Sequence, residues 1–212
     1  MIVMQPVLEI HGPTGFDLWP VAEVPPYSFL PLGGALTPDE VGTAVMAVAA
    51  CNDIEPAADE PPRPTDPLGG FLHGLLTLDP LFASGGLRVT DTATGVTLVP
   101  GCCNGMDERG DWQMVIDGGS AGFGHHPSPL AERLGDTVRL TVDAEAPDSE
   151  RIELPVTDLR RLLAAAEHDL RAFHALASVW CTRQLPYVAE ELTEALARAL
   201  AVPNSRESPS AE

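Results

Sequence analysis

Between Leu159 and Trp180, apolar residues recur every three or four positions: Leu159, Leu162, Leu163, Ala166, Leu170, Phe173, Ala177 and Trp180. That spacing lays one apolar stripe along the face of a long α-helix, and such a stripe is stable in water only when another apolar surface covers it. The rest of the chain must therefore supply that surface. Thr157 is placed to cap the helix. Pro186 either starts a second helix or kinks the first. Val188, Leu192, Leu196 and Leu200 continue a stripe, with Glu190, Glu191 and Glu194 early in it, where the helix dipole favours negative charge.

One covering element is written into Leu36-Thr37-Pro38-Asp39-Glu40-Val41. Thr37 can cap, Pro38 suits the first helical position, Glu40 can reach back, and Leu36 with Val41 forms a hydrophobic staple. Val41, Ala44, Val45 and Val48 then share a face, and Asn52 ends the helix. Strands make up the remainder. Met1 to Ile10 reads as a strand that Pro6 confines to an edge or breaks. Leu87–Asp91 and Val96–Val99 flank a turn at 92–95, while Thr137–Asp143 alternates apolar and polar residues and Arg151–Val156 returns from it. Trp112 to Asp117 reads as a strand before the Gly118-Gly119 turn.

Together these predict an α+β fold: an antiparallel sheet of about five strands, packed against an N-terminal helix and long C-terminal helices. Residues 1–202 form a single domain, with a proline-rich acidic loop at 53–70, and 203–212 form a disordered tail. Residues 11–35 are dense in proline and glycine but carry Phe16, Trp19, Tyr27 and Phe29, which should pin the segment to the core, with a short strand at Val21–Val24. A short helix is expected within Phe71–Phe82.

The net charge is −19, from 31 acidic residues against 12 basic ones, all arginine. Such a surface repels phosphate backbones and anionic membranes, and it favours capture of a basic protein partner by long-range steering. No apolar run spans a membrane and no signal-peptide pattern opens the chain, so a cytoplasmic location with reduced thiols is expected for Cys51, Cys102, Cys103 and Cys181.

Reactive side chains concentrate between Pro100 and Pro129. Cys102, Cys103, His125 and His126 offer the thiolate and imidazole ligands that zinc prefers, although adjacent residues tend to point apart. The same four could instead pair a cysteine nucleophile with a histidine base. The neighbouring Asp107, Glu108 and Asp111 would raise a thiol pKa, which opposes that chemistry. Gly118-Gly119-Ser120-Ala121-Gly122 matches the hydrolase G-x-S-x-G, but the following Phe123-Gly124-His125-His126-Pro127 cannot propagate the helix that motif requires. His168 and His174 read as structural.

From Trp112 onward the order of features resembles the C-terminal half of the SUKH superfamily of bacterial immunity proteins. The features are Trp112 leading a strand, Asp117-Gly118-Gly119 at a turn, a strand through Phe123, Gly135-Asp136-Thr137-Val138-Arg139-Leu140, and a helix with Leu159, Leu162 and Leu163. The resemblance implies a non-enzymatic protein that neutralises a toxin by binding it. With no complete catalytic constellation, the leading expectation is an acidic protein-binding module for a basic partner, with Asp107, Glu108, Asp111 and Trp112 on its surface and no cofactor. Alternatives are a zinc protein or enzyme centred on Cys102, Cys103, His125 and His126, and a subunit that forms homo-oligomers through its C-terminal helices.

Overall fold

A computed structural model describes residues 1–56 and 61–202. It is α+β, with two antiparallel four-stranded sheets in place of the one sheet of about five strands expected from sequence. The first contains β1 (Ile2–Ile10), β2 (Ser28–Pro31), β3 (Gly85–Asp91) and β4 (Thr97–Leu98), in the order β2-β1-β3-β4. The second is a meander of β5 (Ser120–Gly122), β6 (Leu130–Leu134), β7 (Thr137–Thr141) and β8 (Arg151–Pro155). Among the described residues five helices accompany them: α1 (Pro38–Cys51), α2 (Pro67–Thr77), α3 (Asp111–Ile116), α4 (Val156–Gln184) and α5 (Ala189–Ala199). None is long and apolar enough to cross a membrane.

The capping box at Thr37 is present in both directions: Glu40 N–H donates to Thr37 Oγ1 (3.3 Å), and Thr37 N–H donates to Glu40 Oε2 (2.7 Å). Every residue of α1 from Val41 to Ala49 is buried, so the helix is central rather than one-sided. Its outer side is covered by the 11–35 segment. Trp19 Nε1–H donates to the Gly42 carbonyl (2.9 Å), and Ala22 N–H donates to Thr43 Oγ1 (2.8 Å). Phe16, Phe71 and Trp180 surround the Trp19 ring. Phe16 and Trp19 thus do the expected pinning, while Tyr27 stays exposed.

Five local expectations are corrected. Pro6 lies in β1, a central strand; its carbonyl accepts from Leu32 N–H just past the end of β2, so its missing donor faces the point where that ladder stops. The short strand in the 11–35 segment forms at Ser28–Pro31, not at Val21–Val24. The loop that begins at Asp53 ends at Asp66, which caps α2 by accepting from Gly69 N–H (2.7 Å); Arg63 ties its start down through an ion pair with Asp53 (2.6 Å). Thr157 lies inside α4, whose N-cap is Pro155. The fifth correction concerns Trp112–Asp117, which is not a strand: α3 occupies it, and its buried residues Trp112, Val115 and Ile116 have helical spacing. Residues 57–60 and the expected tail at 203–212 lie outside the described residues.

There are two hydrophobic cores. One gathers Leu8, Ile10, α1, α2, α5 and the second half of α4, including Leu170, Phe173, Ala177 and Trp180. The other gathers Met4, β3, α3, the second sheet and the first half of α4, including Leu159, Leu162 and Ala166. Among the described residues only β1 and α4 run through both, and they pack on each other. The loops bearing the cysteines and histidines lie beside the second core, where Phe123 stacks on Trp112 at 4.3 Å and 15°.

Candidate functional site: a cysteine–histidine cluster

Two loops meet at this site because each is anchored on one side. Phe123, buried against Trp112, fixes the chain two residues before His125. Asn104, also buried, fixes the chain two residues after Cys102: its Nδ2–H donates to the Gly85 carbonyl (2.7 Å), and its own carbonyl accepts from Gly85 N–H (3.0 Å). Between the anchors the two backbones touch. A Cβ on Gly101 would overlap the Pro127 carbonyl oxygen and the His125 nitrogen, and one on Gly124 would overlap the Gly101 carbonyl. Glycine at both positions is therefore a condition for the loops to meet.

With the backbones this close, Cys102 and His125 exchange both main-chain hydrogen bonds, at 2.7 and 3.2 Å. Residues paired in this way across an antiparallel bridge project their side chains from the same face. Cys103 follows in the left-handed region (φ 65°), which turns its side chain back. Its Sγ lies 3.3 Å from that of Cys102, overriding the usual divergence of adjacent side chains. The result is three exposed groups, Cys102, Cys103 and His125, whose ligand atoms all lie within 4.8 Å of one another and which could hold a metal ion. His126 is not in that group; its Nδ1 is 3.1 Å from the Nδ1 of His125.

The Cys102 thiol is pushed up in pKa, first by its hydrogen bond with Cys103, then by local desolvation and by the Cys103 and Glu9 charges. A thiol held protonated is a poor nucleophile, so the site does not resemble an activated cysteine–histidine pair. Ser120 is no better placed. It is preceded by a helix and starts a strand, the reverse of the strand–turn–helix that exposes a hydrolase serine.

Of the four proposed binding residues, Asp107 is exposed and Glu108 and Asp111 are half-buried. Trp112 is 1% exposed, so its ring does not reach a partner. Asp107 and Glu108 lie in a 3-10 turn, Met106–Gly110, that leads into α3. Burial, then Asp107 and Asp111, push the Glu108 carboxyl up. The cation beside them, Arg109, turns away to donate to the Leu200 and Ala201 carbonyls that follow α5 (3.2 and 2.5 Å). Among the described residues the three carboxylates have no ion pair.

The fold also joins residues that no sequence spacing connects. Cys51, at the end of α1, lies 3.4 Å from His11 Nε2, just past β1. Burial raises the Cys51 thiol pKa. No protein-family model, curated protein or solved structure matches this chain.

Proposed function

We propose that the protein binds one thiophilic metal ion, zinc being the first choice, through Cys102, Cys103 and His125, with the fourth position open to solvent. The observation that carries this is the convergence of two thiols and an imidazole on a bridge that Gly101 and Gly124 permit. Two sulfurs and one nitrogen form a donor set that zinc accepts, and three protein ligands with an open place is the arrangement of ion-presenting rather than purely structural sites. His126 has the role of orienting partner: a hydrogen bond between the two Nδ1 atoms leaves His125 Nε2 free for the ion. Binding displaces the thiol protons, so affinity falls as pH falls. The test is equilibrium dialysis against zinc followed by elemental analysis. One equivalent is expected for the wild type, and far less for His125→Ala or for Cys102→Ser with Cys103→Ser. Substoichiometric zinc in the wild type, or zinc retained by both variants, would defeat the proposal.

A second function is favoured by a separate observation, the crowding of Asp107, Glu108 and Asp111 with no ion pair among the described residues. On a chain of net charge −19, a basic protein partner would relieve that repulsion, as in the neutralisation that the SUKH resemblance implies. Replacing all three with Asn or Gln should slow association with a partner isolated from the native host and flatten its salt dependence. An association rate indifferent to both would exclude this steering.

A further inference from the structure

A cavity of about 360 Å³ opens where α3 crosses α4, at the seam of the two cores. Trp112, Ile116 and Leu163 give it an apolar lining, and Arg109 and Arg160 stand beside them. The coincidence is informative because the chain has only 12 cationic side chains against 31 acidic ones. We propose that this cavity binds a small amphipathic monocarboxylate, an aryl or medium-chain acid, with its apolar body on Leu163 and Ala164 and its carboxylate between Arg109 and Arg160.

Among the described residues neither arginine forms an ion pair, and the charge that favours Arg109 comes from Glu167 alone. Arg109 is half-buried, and its two partners are carbonyl oxygens, which accept hydrogen bonds without cancelling its charge. The nearby carboxylate that lines the cavity, Glu167, is engaged by Arg171 at 3.3 Å. Arg160 has no ion pair among the described residues. Burial lowers the Arg109 pKa, an effect that Glu167 opposes and Arg171 reinforces. A guanidinium presents a planar fork that matches a carboxylate, and a pair of them sets the orientation of the acid.

The same surroundings limit the ligand. Glu167 in the wall and the strongly negative chain disfavour a dianion, so a single charge fits better than a phosphate monoester. The volume is at the small end for ligand pockets, which suits one or two fused rings or a chain of comparable bulk. The cavity shares no residue with the cysteine–histidine cluster, so the two sites stand or fall separately.

The test is calorimetric titration of the full chain with naphthalene-1-acetate and with its primary amide, which has the same body without the charge. Saturable 1:1 binding of the acid is expected, with the amide at least about tenfold weaker, the size of one charge-assisted hydrogen bond. Arg160→Gln, a change at an exposed side chain, should weaken the acid by about tenfold and leave the amide nearly unaffected. Ala164→Phe, which fills the cavity without touching a charge, should abolish both. No saturable binding of the acid, equal binding of acid and amide, or binding that survives Ala164→Phe would each overturn the proposal.

Discussion

Gly42 sits inside α1, where helix propensity alone says that alanine should be better by about 1 kcal/mol. The structure reverses that sign. A Cβ at Gly42 would overlap the Pro20 carbonyl oxygen, a backbone atom, and press on the Trp19 and Trp180 rings at 3.2 and 3.3 Å. Relief requires the 11–35 segment to lift from the helix, at about 1–3 kcal/mol for forced overpacking. Lifting also separates Trp19 Nε1 from the Gly42 carbonyl, and a buried donor left unpaired costs about 1–3 kcal/mol more. With the propensity gain subtracted, Gly42→Ala should lose about 1–5 kcal/mol. At a urea slope of about 2 kcal/mol/M, the midpoint followed by far-ultraviolet circular dichroism should fall by about 0.5–2.5 M. The near-ultraviolet signal should weaken as well, because Trp19 and Trp180 pack edge to face at 5.8 Å. A midpoint unchanged or raised in the variant would show that the segment does not rest on α1.

Four further outcomes are expected. Thr37→Ala should cost about 1 kcal/mol by removing an N-cap acceptor. Bonds from Thr37 hold the Glu40 carboxyl below its ordinary 4.5, so its contribution is full above that value and is lost as pH falls through the folded pKa; the wild type's advantage over Glu40→Gln in urea midpoints should follow that course. In thiol titration with an aromatic disulfide at pH 8, Cys102 and Cys103 should react in the folded protein, Cys51 slowly, and Cys181 only after unfolding, since burial pushes its pKa to about 11. Phe123→Leu should lose about 1–2 kcal/mol with its stack on Trp112, and should weaken zinc binding as well because Phe123 anchors the His125 loop.

What the sequence revealed depended on how local each signal was. The Thr37–Glu40 box is complete within four residues, and the turn at 92–95 lies between its own strands, so both were legible. Trp112–Asp117 misled because the six residues of α3 hold under two helical turns, and Val115 and Ile116 are β-branched residues that favour strands. Their burial at i, i+3 and i+4 separates the two readings, but it exists only once α3 has a sheet to lie on. The split into two sheets was hidden for a similar reason: β6 follows Pro127 and Pro129, and its pairing partners lie in β5 and β7. For the cysteine–histidine cluster, sequence supplied the residue types but not their meeting. That depends on a close approach of Gly101 to Gly124 and on a left-handed Cys103, neither of which leaves a mark in spacing.

The sharing of both cores by β1 and α4 has a consequence for the order in which the chain is made. Strand β1 leaves the ribosome well before the Leu170, Phe173 and Ala177 surface that packs in the core with its Leu8 and Ile10, which is synthesised about 160 residues later. At roughly 5–20 residues per second, that is a delay on the order of 10–30 s, long compared with collapse of the nascent chain. During that interval α1 can join β1 while the α4 side of the core stays open to water. Vectorial synthesis therefore leaves a partly built pair of β1 and α1 that depends on α4 and α5 for closure. A ribosome-bound chain arrested before Leu170 should be retained by chaperones, and one extended past the end of α5 should be released.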